Sequence, residues 1–175
     1  VTLILNQNNS PSSGTQHPQN VTWDSCIFYI SSGAAIRITM TLDASTDYDA
    51  NIIIKNCLFI GGGSQIFVSS TGAGSGKPGG VKIYNCTFLG GTRHLIVNDA
   101  NCSTTIPCYI YNCIGFGATS SSVTANVQGQ VIEDYNVFYA NTTRTNVTAG
   151  IHSKVGGTNG VMPYANLLNW GQDYL

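Results

Sequence analysis

The chain carries 175 residues, only 9% of them charged, with a formal net charge of −1, against roughly 25% charged residues in an average soluble domain. That length suits one domain with a continuous core. With no basic stripe to neutralise phosphates, the composition argues against nucleic acid and an anionic membrane surface; the longest apolar run, "NIIIKNCLFI", is broken by Lys55 and Asn56 and is far too short to cross a bilayer.

No stretch repeats apolar residues at i, i+3, i+4 and i+7 over the turns a helix needs. Short Val/Ile/Phe/Tyr-rich runs are instead punctuated by Gly, Asn, Asp and Ser clusters, so the chain reads as nearly all β. It begins at Val1 rather than Met and shows no signal peptide, which points to a processed form or a piece of something longer.

In chain order, one phrase returns. Cys26, Cys57, Cys86 and Cys113 follow one another at intervals of 31, 29 and 27 residues. Three positions before them stand Trp23, Ile54, Ile83 and Ile110, and five before stand Val21, Ile52, Val81 and Cys108. Two after come Phe28, Phe59 and Phe88, and the fourth copy shifts its ring to Phe116. Asn56, Asn85 and Asn112 directly precede three of the cysteines, with Ser25 in the first copy.

The two positions before the bend share one strand face, because side chains alternate with period 2. Cysteine sits at the opposite parity and is equally apolar, so the chain must bend between them. Asn tolerates the left-handed backbone such a bend needs. Each copy therefore predicts a strand, an Asn bend and a second strand opening Cys-x-Phe, with a further strand at "SQIFVSS" (64–70) and "RHLIV" (93–97). Units of this size bury their apolar face only by stacking on one another. An antiparallel sandwich also gives many short strands, but no reason for one phrase to recur.

On "IKNCLFIGG", "IYNCTFLGG" and "IYNCIGFG", the repeat resembles the right-handed parallel β-helix of the pectate-lyase-like superfamily, over about residues 20 to 140. The expected fold is an all-β parallel solenoid of about five rungs spaced about 4.8 Å apart, with repeats in 1–140 and an irregular closing, capping or docking segment in 141–175. "VIEDYNVFYAN" is the expected closing rung, with Glu133 in place of isoleucine and Asn136 in place of cysteine. The tail residues Leu167, Leu168 and Trp170 are candidates to cover one end or dock on a neighbour.

The cysteines divide in two. Cys26, Cys57, Cys86 and Cys113 form an expected interior ladder of free thiols, since rungs ~4.8 Å apart hold Cβ atoms beyond the roughly 3.5–4.5 Å of a disulfide. Cys102 and Cys108 bracket the loop "CSTTIPC" and are candidates for a disulfide, which would imply an oxidising compartment, although Cys108 also fits the inward column. The histidines (His17, His94, His152) are scattered and no C-x-x-C or C-x-x-H pair exists, so no metal site of that kind is expected. Six N-x-S/T sequons occur, more than the roughly three that composition predicts. Asn20, Asn101, Asn141 and Asn146 are candidate glycosylation sites beside Asn8, while Asn85 is explained by its bend.

"TGAGSGKPGG" (71–80) fails as a phosphate loop, because Thr71 replaces the first glycine, Pro78 follows Lys77 and no helix follows. "LDASTDYDAN" places Asp43, Asp47 and Asp49 in one inter-strand loop, as candidate calcium ligands or catalytic carboxylates against the plainer reading of a solvated turn. Glu133 and Asp134 are adjacent on a strand and face opposite ways. Arg93, His94 and Asp99 are the nearest thing to a polar constellation, with His94 read as an exposed strand residue.

Many members of the resembled superfamily cleave acidic polysaccharides, and the resemblance implies that chemistry without supplying its motifs. What remains is a polar surface of Thr, Ser, Asn and Gln with Tyr29, Tyr84, Tyr109 and Tyr111 as candidate glycan-facing residues. The expectation is a non-enzymatic structural or glycan-contacting module of an extracellular or virion assembly (tail-spike, capsid decoration or filament subunit), partnered by copies of itself and needing no cofactor. The alternative is a polysaccharide lyase or glycoside hydrolase.

Overall fold

The computed structural model describes residues 3–6, 20–42, 45–139 and 143–155. A first strand, β1 (Leu3–Asn6), precedes a first turn of β2 (Val21–Asp24), β3 (Ile27–Ile30) and β4 (Ile36–Thr41). The second turn is β5 (Tyr48–Lys55), β6 (Leu58–Gly61) and β7 (Ser64–Thr71); the third is β8 (Pro78–Tyr84), β9 (Thr87–Leu89) and β10 (Arg93–Val97). The fourth is β11 (Cys108–Tyr111), β12 (Ile114–Phe116) and β13 (Ser121–Ala125), followed by the short strands β14 (Val131–Asp134), β15 (Val137–Tyr139), β16 (Arg144–Thr145) and β17 (Lys154–Val155).

Every pairing is parallel and joins a strand to its counterpart one turn away. The result is a parallel β-solenoid with three faces: sheet 1 (β2-β5-β8-β11-β14), sheet 2 (β3-β6-β9-β12-β15-β17) and sheet 3 (β1-β4-β7-β10-β13-β16). It has about four turns rather than the expected five, because the strands after β13 shorten to two residues in β16 and close the coil.

The bend between sheets 1 and 2 lies at the residue before the cysteine. Ser25, Asn56, Asn85, Asn112 and Tyr135 all have positive φ, between 52° and 57°. One left-handed residue reorients the chain while the ladder continues through it: Asn56 N–H donates to Tyr84 O at 3.1 Å and Asn85 N–H to Tyr111 O at 3.2 Å. The second corner falls at the glycines that end the phrase. Gly61 and Gly90 have φ of 74° and 68°, and a Cβ on Gly61 would lie 2.6 Å from the Ile30 carbonyl oxygen.

The bend lets both halves of the phrase face inward. Val21, Ile52, Val81, Cys108 and Val131 share one column of sheet 1, and Trp23, Ile54, Ile83, Ile110 and Glu133 the next. In sheet 2 the rings of Phe28, Phe59 and Phe88 stack at centroid distances of 4.8 and 5.0 Å. The fourth ring is not Phe116, as the spacing suggested. Gly115 occupies that column, and Phe116 faces outward beside Tyr139. His94, from β10 in sheet 3, fills the gap: its imidazole lies 5.3 Å from Phe88 and 5.8 Å from Phe138. His94 is fully buried, not the exposed strand residue expected.

The closing turn makes three inward columns polar at once. Glu133 follows Ile110, Arg144 follows Val123, and Asn136 supplies an acceptor to Cys113 N–H at 2.8 Å. Outward, sheet 2 is mostly apolar: Ile27, Leu58, Thr87, Ile114 and Val137 form one ladder, which Lys154 continues in register, and Tyr29, Ile60, Leu89, Phe116 and the buried Tyr139 form the other.

Candidate functional site

Tyr84 and Tyr111 project outward from adjacent strands of sheet 1, and Tyr109 lies two residues from Tyr111. Their rings are near parallel: Tyr84 to Tyr111 at 6.2 Å and 10°, Tyr109 to Tyr111 at 6.0 Å and 23°. Burial, helped by the neighbouring Tyr109, Asp134 and Tyr84, raises the Tyr111 phenol above its ordinary value. Tyr29 does not join them; it stands on sheet 2 with 75% of its surface exposed.

The tyrosines continue ladders that carry balanced charge. Lys55 is the register partner of Tyr84 and pairs with Asp24 at 3.2 Å; Lys82 is the partner of Tyr109 and pairs with Asp49 at 3.0 Å. Beyond Tyr111 comes Asp134, whose carboxylate pairs with His152 Nδ1 at 2.9 Å while Tyr135 stacks on the imidazole at 4.2 Å. The hydrogen bond from His152 holds the Asp134 carboxyl below the usual range.

In the acidic loop, the described carboxylates Asp47 and Asp49 are held by different partners. Asp43 lies outside the described residues. Asp47 accepts a 2.6 Å hydrogen bond from the Ser103 hydroxyl and another from Lys77 N–H at 2.8 Å, which together lower its pKa. Ser103 Oγ in turn accepts from Thr105 and Ile106 N–H, so Asp47 pins the loop that leads into β11. Asp49 accepts from Asn51 N–H at 2.6 Å at the bulge where β5 shifts register, and from Lys82. Among the described residues no group of three His, Cys, Asp or Glu side chains comes together as a metal site.

The remaining carboxylates are also engaged. Asp24 accepts from Asn56 Nδ2 and Ser25 Oγ, and Asp99 accepts from Asn101 and Ser70 N–H. Asp99 is therefore a turn cap, apart from the buried His94 with which the sequence grouped it. Glu133 lies 2.7 Å from Arg144 Nε, with side-chain exposures of 0% and 7%, and accepts from Ser153 Oγ and Asn136 Nδ2. The second guanidinium nitrogen, Arg144 Nη2, has no hydrogen-bond partner, and the guanidinium lies 5.3 Å over the Phe138 ring.

All six cysteines are free thiols. Cys57, Cys86 and Cys113 are buried in the ladder and Cys26 is half-buried at its first turn. Cys102 and Cys108 are both buried thiols, and burial pushes Cys108 up to about 12 and Cys102 well above its ordinary value. Burial likewise raises Cys57 to about 11, which leaves it unreactive at neutral pH. Of the candidate sequons, Asn20 and Asn101 are exposed, Asn146 Nδ2 is held by the Ala125 and Asn126 carbonyls, and Asn8 and Asn141 lie outside the described residues, as do Leu167, Leu168 and Trp170.

No known protein family, curated protein or solved structure matches this chain.

Proposed function

We propose that the chain is a non-enzymatic structural module whose tyrosine-bearing sheet 1 face contacts neutral glycan in an extracellular or virion assembly, in the manner of a tail-spike, capsid-decorating or filament subunit. One observation carries the non-enzymatic half: each of the six carboxylates among the described residues is already bound within the solenoid. A glycosidase needs a carboxyl pair free to face a sugar, and a lyase needs free acidic metal ligands. The resemblance to pectate-lyase-like β-helices supports the shape and not the chemistry, because function belongs to sites and not folds.

The glycan half rests on Tyr84, Tyr109 and Tyr111. Aromatic side chains combine apolar rings with polar tips, and the paired lysines beside them leave the face without free positive charge. That balance suits a neutral saccharide better than an acidic one.

The test is affinity electrophoresis through gels cast with neutral or acidic polysaccharides, together with an assay for new reducing ends. Retardation by a neutral polymer, lost in Tyr111→Ala and unaccompanied by reducing ends, is the expected result. Reducing ends that vanish in Asp47→Asn would replace this reading with the hydrolase or lyase alternative.

A further inference from the structure

The tyrosine ladder of sheet 1 does not end at Tyr111. Its next position is Asp134, one rung of ~4.8 Å further along the solenoid, and Asp134 holds an imidazole. His152 Nδ1 lies 2.9 Å from Asp134 Oδ2, while the backbone N–H groups of His152 and Tyr135 both donate to Asp134 Oδ1 at 2.9 Å. A carboxylate only accepts, so Nδ1 carries the proton and the neutral ring offers Nε2 as an acceptor. Tyr135 covers one face of the imidazole, with centroids 4.2 Å apart and planes 8° from parallel. The turn that carries His152 is tied to the closing rung as well: Gly150 N–H and Ser153 Oγ both donate to Glu133.

We propose that His152 extends the tyrosine face by one rung, and that its Nε2 accepts a hydroxyl hydrogen from a neutral polysaccharide lying along the solenoid axis over Tyr84 and Tyr111. The inference deepens the glycan reading and rests on it. The ring is fixed through its Nδ1, its backbone and one face, yet its side chain is 43% exposed and Tyr135 is 44% exposed. An ion pair that open to water adds little to stability. Fixing a side chain ahead of binding, by contrast, removes the cost of ordering it when a ligand arrives. Nε2 makes no hydrogen bond among the described residues. The axial direction follows from the register: Lys55, Tyr84, Tyr111 and Asp134 are successive partners in one ladder, closed at its far end by the Lys55–Asp24 pair. From Tyr84 to the Asp134 rung is two steps, ~10 Å, which suits a run of sugars better than one ring. The Asp134 carboxylate behind the imidazole disfavours an acidic sugar at this end.

Affinity electrophoresis through hydroxyethyl cellulose and through galactomannan, each over a series of polymer concentrations, gives a dissociation constant for every variant. His152→Phe keeps a ring on Tyr135 and removes both nitrogens, so it separates the hydrogen bond from the stacking. It should bind the retarding polymer roughly three- to tenfold more weakly than wild type, the net worth of one hydrogen bond. Tyr29→Ala, on sheet 2, should bind like wild type. Matching urea midpoints for wild type and His152→Phe, expected for so exposed a side chain, assign the loss to binding. A His152→Phe variant that binds as tightly as wild type, while Tyr111→Ala does not, would overturn this inference and leave the tyrosines as the whole site. Wild type retarded by neither polymer would overturn the glycan reading and this inference with it.

Discussion

His94 occupies the place in the phenylalanine stack that Gly115 vacates. A Cβ built on Gly115 would lie 2.6 Å from His94 Cδ2 and 2.6 Å from Phe138 Cδ1. The glycine is therefore the complement of an imidazole arriving from another sheet. Gln65 fixes that imidazole: its Nδ1 is 3.0 Å from Gln65 Oε1, and Gln65 Nε2 donates to the Gly61 and Leu89 carbonyls. Because the amide nitrogen is committed to carbonyls, the facing atom is the amide oxygen, and His94 Nδ1 carries the proton.

This pairing makes stability depend on pH. Burial lowers the His94 pKa from 6.5 to about 3. The unfolded chain therefore binds a proton below pH 6.5 that the folded chain refuses, and the His94 contribution, complete above 6.5, is lost as pH falls toward 3. Each pH unit costs about 1.4 kcal/mol, or roughly 3 kcal/mol between pH 6.5 and 4. The lowered carboxyl pKa values of Asp24, Asp47 and Asp134 act only near and below their ordinary value of 3.8. Urea titrations from pH 7 to 4 should show this slope in wild type and lack it in His94→Phe, whatever the absolute stability of the variant. Equal slopes would mean that His94 titrates normally in the fold.

Gly115→Ala should cost about 1–3 kcal/mol, the usual result of overpacking a closed core. The informative variant is the exchange. Gly115→Phe alone has no room, whereas Gly115→Phe with His94→Ala restores a ring to the column and vacates the space that the imidazole used. The double-mutant cycle should show coupling of at least ~1 kcal/mol in favour of the pair. Additive losses would show that the two residues do not share one space.

The column that hides this exchange was legible in the sequence; the exchange was not. The Asn-Cys-x-Phe phrase spans sheets 1 and 2, so its intervals align those strands and place the left-handed bend at Asn56, Asn85 and Asn112. Sheet 3 lies beyond the phrase and is joined to it by loops of unequal length, so sequence spacing did not reveal that Gln65 and His94 are register neighbours. The signal available was Gly115 itself, a missing ring in an otherwise aromatic column. The tyrosine face was partly legible for the same reason: Tyr84, Tyr109 and Tyr111 lie within the phrase at outward parity, whereas Tyr29 falls after the bend and so on another sheet. The partner of Asp47 was not legible, because proximity in sequence says nothing of the Ser103 hydroxyl that bonds Asp47 from 56 residues away.

The bend makes its own prediction. For an L-residue the left-handed conformation costs roughly 1–2 kcal/mol, which Asn lessens and Gly avoids. Asn112 has φ of 53°. Asn112→Val should therefore lose about 1–2 kcal/mol while Asn112→Gly stays within about 0.5 kcal/mol of wild type, read from urea midpoints. Equal losses in both would assign the residue's role to its side-chain contacts instead of its backbone.

The closing turn tests whether polar residues there are a cost to stability. Removing one partner of a buried ion pair strands the other charge and typically costs 3–5 kcal/mol, while replacing the pair with well-packed apolar residues is often neutral or better. Glu133→Gln leaves Arg144 without its counter-charge, so a loss of about 3 kcal/mol is expected. The columns specify the repair: Ile at 133 continues Ile54, Ile83 and Ile110, and Leu at 144 continues Ile66, Leu95 and Val123. Glu133→Ile with Arg144→Leu and Asn136→Cys should regain most of that loss. It should also change behaviour, since the last turn then carries apolar columns a further rung could continue, where wild type holds a buried ion pair. A recovered urea midpoint with new high-mass species in light scattering would show that the pair closes the solenoid at the expense of stability. Recovery without new species would reduce its role to satisfying Ser153 and Gly150, which hydrogen-bond to Glu133.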